Sequence, residues 1–523
     1  MAFLFNDRIG GKPSTHPSNF AAADQKEYEA LITKENGVSH NTKSALDNRP
    51  PLTMGKGVGV CGTCLNTFKC SVGAGILSFP YAFQLGGWLG GSVAFCAIIL
   101  PVMYGLHRIG AARLMLIEDM IAKRRTQGLR ADPSVTEDEI KRLALESRDY
   151  LEFPELARLS VGEKLSTVVA GFVLAGQIGC CSAYVIFMTN NLHGIGMAFA
   201  ATSFLPRIAY VGILFPLIVS LSFVKTLRGL MPVALLGTLL LFAGWCLVGI
   251  HGFQAAAATQ TPITLPPMLG ENVVVCIGIM LFAMESVVQM PALQASMTSP
   301  SKFPTTLNFT LSLVFLLYVV FGIGGAALYG ANVDSVITNN MGTTVLGHLA
   351  RATFTVYILF SFPFQMFPAG VILERWFTPD TNAAVEDMAA ETSATGDAPL
   401  PAPMGGRATC SALLSNFFVV RLLLCLIVAG IACAFQDFGT FLSLIGYPCM
   451  GVLGLVVPQL MCITLDMKSK NGRMSTLDRT LCWTVLCFGA VGCMVGTVYS
   501  VAEVMKASYG GGSDVRAVGV AIH

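Results

Sequence analysis

Apolar runs of about 20 residues, separated by polar stretches, organise this chain from Val58 onward. A helix of that length crosses a hydrocarbon core of roughly 30 Å. The pattern predicts eleven spanning helices, near 60–84, 88–107, 165–189, 208–224, 229–251, 271–292, 307–330, 345–373, 418–435, 440–464 and 481–505. Most connections are short. Two are long and polar, at about 108–164 and 374–417. The second contains DAPLPAPMGG and reads as a flexible linker. In the first, Ser134–Leu143 reads as a capped amphipathic helix, either a solvated surface or a regulatory partner site. The chain thus divides into a disordered cytosolic tail (1–57), a transmembrane domain (58–507) and a short C-terminal tail (508–523), an all-α integral membrane protein.

Composition agrees with this division. Of 523 residues, 54% are hydrophobic and only 12% charged, against roughly 25% charged in soluble domains. That excludes a soluble multi-domain enzyme and a disordered or fibrous chain. A formal net charge of +2 without a basic domain gives no sign of a nucleic-acid partner. The 16 cysteines sit mostly inside apolar runs, where they behave as small hydrophobes. Cys61/Cys64 is a single CxxC without the second half of a zinc site, so no metal is expected. The N-terminus lacks the apolar core and cleavage site of a signal peptide.

Most Lys and Arg fall in the tail and in alternate loops, among them Lys225, Arg228, Lys468, Lys470, Arg473 and Arg479. Cytosolic loops collect such residues. The N-terminus is therefore expected in the cytosol and, with eleven spans, the C-terminus outside or in a lumen.

Several residues break the apolar pattern. The first span reads Lys69-Cys-Ser-Val-Gly73-Ala-Gly75-Ile-Leu-Ser-Phe-Pro80. Glycine and proline inside a span fit either close helix packing or an unwound stretch whose free amides and carbonyls hold a ligand. Glu285, in the sixth span, lies about fourteen residues into its run, roughly 21 Å deep. An ionised carboxylate there costs about 2.5–3.5 kcal/mol on insertion scales. It is either a proton-carrying group or a structural hydrogen bond between helices. Breaks in spans one and six occupy matching positions of a five-plus-five inverted repeat, whose substrate sits between two discontinuous helices. Lys69 either snorkels to the inner face or serves in gating or an ion pair. Ser361, between spans' worth of apolar residues and near Pro363 and Pro368, offers a hydroxyl to an ion or to its own helix. His107, His193, His251 and His348 read as interfacial anchors, with proton sensing open for the last three. Gly57–Gly62 matches GxGxxG but lacks a βαβ context. No ATP-binding or hydrolase motif accompanies it.

Glu27, Tyr28, Leu31 and Ile32 in the tail fit acidic-dileucine and tyrosine-based sorting signals, which would recruit sorting adaptors toward an endosomal, lysosomal or vacuolar membrane. A plasma-membrane location stays open. The first span with Gly87-Trp88, the sixth through Gln294–Met297 and Pro300–Pro304, and Phe438–Gly446 resemble the amino acid/auxin permease family, most closely its proton-coupled and vacuolar branches. That resemblance implies a LeuT-like core with discontinuous helices 1 and 6 plus one extra helix. It implies an amino acid carrier, driven by protons or, less often, sodium, with no further cofactor and working as a monomer in the bilayer. Backbone groups at Val72, Gly73, Ala74, Gly75 and Ile76 would hold the amino acid. Phe282, Glu285 and Ser286 would line the opposite side, with Glu285 polarising the site or carrying the proton. Two departures from the branch pattern, Ser286 after Glu285 and Gln294 in place of an acid, bear on substrate and coupling. A sodium-coupled carrier or an amino acid sensor signalling through the tail are the alternatives.

Overall fold

The computed structural model describes residues 58–131, 153–199, 202, 205–223, 231–260, 262–298, 302–377, 406–435, 437–468 and 474–510. The candidate sorting residues Glu27, Tyr28, Leu31 and Ile32, the Ser134–Leu143 segment, Lys225, Arg228 and most of the 374–417 segment lie outside the described residues.

All eleven expected spans are present as helices. They are α1 (Val60–Ser71 and Phe79–Gly86), α2 (Trp88–Ala131), α3 (Glu163–Gly196), α4 (Arg207–Ser222), α5 (Met231–Thr259), α6 (Val273–Phe282 and Met290–Ala295), α7 (Phe303–Tyr329), α8 (Val345–Phe377), α9 (Gly406–Ala434), α10 (Phe438–Lys468) and α11 (Thr476–Gly510). Nine are long and apolar enough to cross a membrane on those criteria alone. The tenth is α1, bent by 52° at its break, and the eleventh is the 16-residue α4.

Two helices are interrupted. In α1 the α-helix stops at Ser71, Val72 and Gly73 are extended, and a 3-10 turn over Ala74–Ser78 leads into the second half. In α6 the first half ends at Phe282 and a 3-10 turn over Glu285–Gln289 precedes the second. Pro80 and Pro291 sit in the first turn of the half-helix that follows each break. There the missing N–H removes no hydrogen bond, so both prolines start helices rather than disrupt them.

The two broken helices run antiparallel. At one end Val58 pairs with the chain after α6, donating to Ser296 O at 2.9 Å and accepting from Thr298 N at 3.1 Å. At the other, Asn272 N before α6 donates to Leu85 O at 3.0 Å. We call the Val58 end inner and the other outer. Antiparallel pairing of spans one and six is what an inverted repeat requires.

Three features depart from the simple span pattern. Helix α2 has 44 residues, about 66 Å at 1.5 Å per residue, and so runs well into the segment read as a polar connection. That segment also contains a surface helix, Phe153–Val161, which buries Phe153, Leu156 and Ala157 against α2, α3, α6 and α10. Its apolar residues at i, i+3 and i+4 are a short helical stripe, hidden by the charges around it. Helix α9 begins at Gly406, inside the segment read as linker. Within α10, Gly446–Val456 is wound as a π-helix. Gly446 lies so close to the Gly278 carbonyl of α6 that a Cβ would collide with it.

Candidate functional site

The break in α1 leaves backbone groups without helical partners, and tyrosines from two other helices take up its carbonyls. Tyr318 of α7 donates to Ser71 O at 2.8 Å and Tyr357 of α8 to Val72 O at 2.5 Å. Both tyrosines are buried. Opposite the turn, Ser71 Oγ donates to Ser286 Oγ of α6 at 3.2 Å, joining the two breaks directly.

Glu285, only 1% exposed, stands between these breaks. Its carboxyl is seated on Gly73, where a Cβ would overlap Oε1 and come within 2.9 Å of the Tyr184 hydroxyl. Gly73 is thus a glycine because the carboxyl lies where a side chain would begin. Tyr184 of α3 donates to Glu285 Oε1 at 3.0 Å, and Gln365 Nε2 of α8 approaches the Tyr184 oxygen at 3.5 Å. Gln289 Nε2 in turn donates to Gln365 Oε1 at 3.2 Å. All three steps point the same way, toward Oε1. Oε2 is shut away from solvent without a donor at hydrogen-bonding geometry.

A small cavity opens on the inner side of the breaks. It is lined by Lys69, Cys70, Tyr184, Glu285, Gln289, Ser361, Phe364 and Gln365. Lys69 is half-buried. Its ammonium lies 5.5 Å from the Phe364 ring centre and 5.7 Å from that of Tyr357. It is therefore held inside the bundle rather than extended to the inner surface.

The structure places the expected site residues as follows. Glu285 and Lys69 line one cavity, Gly73 carries the Glu285 carboxyl, and Ser286 is tied to Ser71. Gly75 packs on Phe282, with a Cβ position 3.2 Å from Phe282 Cδ1 and from Ala283. Val72, Ala74 and Ile76 are buried in the turn and do not line the cavity. Ser361 lines it while donating to Tyr357 O of its own helix at 3.0 Å. Three of the four histidines are engaged elsewhere: His107 with Asn308 at 2.6 Å, His251 with Tyr329 at 3.2 Å, and His193 edge-on to Tyr210, while His348 Nδ1 is buried without a hydrogen-bond partner. Among the described residues no group of three or more His, Cys, Asp and Glu is placed to hold a metal ion.

Sequence reasoning missed Tyr184, Gln365, Tyr318 and Tyr357. Gln365 carried a usable signal, an amide between Pro363 and Pro368 in an apolar run. The tyrosines carried none, because their rings suit an apolar run and only the hydroxyl matters.

On its outer side the site is closed. The segment between α7 and α8 lies over α1, α3 and α10: Ser78 donates to Ser335 O at 2.5 Å, Thr338 to Asn191 Oδ1 at 2.5 Å, and Ser335 to Asp437 Oδ1 at 3.3 Å.

An all-helical membrane bundle whose two broken, antiparallel helices meet at a buried carboxyl has the build of a solute carrier. The chain belongs to the family of transmembrane amino acid transporter proteins, whose profile matches residues 56–502. These are transporters rather than enzymes. The amino acid transporter ANT1 of Arabidopsis thaliana is 24% identical over 455 residues, 84% of this chain and 91% of its own length. Vacuolar amino acid transporter 3 of Schizosaccharomyces pombe is 23% identical over 362 residues, 69% of this chain but 48% of its own length. Among solved structures, MhsT in complex with L-phenylalanine aligns over 84% of this chain and 98% of its own with TM-score 0.46 and 11% identity.

Proposed function

We propose that this chain is a secondary active carrier of small neutral amino acids, coupled to protons through Glu285. The observation that carries the reading is the Glu285 carboxyl itself, seated on Gly73 between the two breaks. One oxygen is held by Tyr184, and the other, Oε2, has no partner at hydrogen-bonding geometry and is the atom at which a proton would ride, with the Cys180 thiol and the Gln365 amide beside the carboxyl. Proton binding at Oε2 leaves the Tyr184 bond intact, so the carboxyl gains and loses charge without dismantling the site. The substrate would lie between the turn at Val72–Ile76 and the facing residues Phe282, Glu285 and Ser286, which are packed on one another in this closed form and would have to part to admit it. Names of the plant and yeast relatives support amino acids as the substrate class and, for the yeast protein, a vacuolar membrane. A vacuolar, lysosomal or endosomal membrane, with the N-terminus in the cytosol and the C-terminus lumenal, is the location we propose.

Uptake of labelled amino acids into liposomes holding the purified protein, under an inward proton gradient that is then collapsed, tests this. Accumulation that follows the proton gradient without sodium is expected. Glu285→Gln should abolish accumulation while leaving gradient-independent exchange. Accumulation driven by sodium instead, or an unchanged pH response in Glu285→Gln, would overturn the coupling assignment.

A further inference from the structure

Gln289 is the half-buried N-cap residue of the second half of α6, yet its side chain makes no cap hydrogen bond. It reaches across to α8 instead, where Nε2 donates to Gln365 Oε1 at 3.2 Å. With that oxygen occupied, the Gln365 amide turns its nitrogen toward the Tyr184 hydroxyl, 3.5 Å away. A hydroxyl that receives a donor on its oxygen keeps its own proton to give. Tyr184 gives it to Glu285 Oε1 at 3.0 Å. The chain of amides and hydroxyl thus starts on α6, passes through α8 and α3, and returns to α6 at the other end of the same 3-10 turn, Glu285–Gln289. All four side chains line one cavity.

The direction of this chain depends on its first member. A glutamine amide accepts at its oxygen and donates at its nitrogen. Without Gln289 on Oε1, the Gln365 side chain is free to turn over and offer that oxygen to Tyr184. The phenol then divides its proton between two acceptors, and the Glu285 carboxylate loses part of its donor. A donor on a carboxylate favours the ionised form, so losing it favours the protonated one.

Resting on the proton-carrying role of Glu285 proposed above, we propose that Gln289 is a positioning residue for that proton: through Gln365 it holds Tyr184 as a donor to Glu285, and so sets how acid the medium must be before Glu285 takes the proton up. Facing the carboxyl besides Tyr184 are Lys69 and Cys70 of α1, Cys180 and Cys181 of α3, Tyr318 of α7 and Tyr357 of α8, with Cys449 of α10 near Cys180. The thiols and phenols are neutral from acid to neutral pH, and Lys69 is left in place in every variant below.

The experiment is uptake of glycine, alanine, serine and proline into liposomes at equal pH on both faces, driven by a fixed inside-negative potential, with the pH stepped from acid to neutral. The quantity read is the pH at which uptake is half-maximal. Gln289→Met should move that midpoint up by about one unit. Gln365→Met, which removes the next link and the amide beside the carboxyl, should move it in the same direction. The double variant should move it no further than Gln365→Met alone, since Gln289 acts through Gln365. A merely structural glutamine would lower the rate at every pH and leave the midpoint in place. An unmoved midpoint in Gln289→Met overturns the assignment, as does an unmoved midpoint in Gln365→Met if Gln289→Met does not fold. Shifts that add in the double variant also overturn it, because Gln289 would then reach Glu285 by another route. A midpoint that persists in Glu285→Gln would overturn the proton role on which this inference rests, and uptake of none of the four amino acids by the native chain would overturn the amino acid reading itself.

Discussion

Gly73 and Gly75 look alike in the sequence, yet the structure separates them. At Gly73 a methyl group would overlap the Glu285 carboxyl and crowd Tyr184, both of them buried and hydrogen-bonded to each other. At Gly75 it would meet Ala283 and Phe282 at 3.2 Å, a distance that a few tenths of an ångström relieves. Overpacking a tight interior costs about 1–3 kcal/mol, but at Gly73 the group displaced is the one proposed to carry the proton. Gly73→Ala should therefore abolish gradient-driven uptake while the protein still elutes as a monodisperse species in detergent. Gly75→Ala should retain uptake within about tenfold of the native rate. Equal loss in both variants would mean that close helix packing, and not the seat of the carboxyl, is what these glycines provide. The sequence already marked this pair of breaks, because Gly and Pro inside a span and a carboxyl at its centre violate the two strongest rules of a membrane helix. It did not show that Gly73 and Glu285 touch, since the 211 intervening residues carry no signal of their contact.

The break in α1 is held open by side chains from neighbouring helices. The carbonyls of Ser71 and Val72 keep their hydrogen bonds only through Tyr318 and Tyr357. Removing either hydroxyl leaves a buried carbonyl short of a partner, at about 1–3 kcal/mol. Tyr318→Phe and Tyr357→Phe should each lower stability in detergent by about that amount, read from a denaturation midpoint, and the double variant should lose more than either alone. No change in Tyr357→Phe would show that the Val72 carbonyl finds another donor. The eleven spans were legible because each is an apolar run of nearly the right length. The surface helix at Phe153–Val161 was not, since nine residues carry only three buried apolar positions among charges. The π-helix of α10 was equally hidden. It begins at Gly446, where α10 meets the Gly278 carbonyl of α6, a contact between two helices rather than a property of either sequence.

At the scale of the whole molecule the two ends of the bundle are built differently. The inner end is tied by ion pairs: Arg108 of α2 with Asp478 of α11 and Arg479 of α11 with Asp466 of α10, both at 2.7 Å. Arg479 is half exposed, so the second pair is worth little through its charge. The outer end is closed instead by hydrogen bonds of the segment between α7 and α8, two of them between neutral groups, at Ser78–Ser335 O and Thr338–Asn191, and one from Ser335 to the Asp437 carboxylate. Neutral bonds of this kind contribute about 0.5–1.5 kcal/mol each, which suits a cover that has to open and close. A carrier alternates access by exposing the same breaks first to one side and then to the other. Loosening the outer cover should therefore shift the population toward an outward-facing form without unfolding the bundle. Ser78→Ala with Thr338→Val removes two of the bonds, for a shift of about 1–3 kcal/mol, or roughly five- to a hundredfold in the ratio of the two forms. Hydrogen–deuterium exchange should then rise at residues 74–79, which the cover protects, and stay unchanged at Phe153–Val161 on the inner end. A rise at both ends together would mean that the variant has loosened the whole bundle, and that the segment between α7 and α8 is a brace rather than a gate.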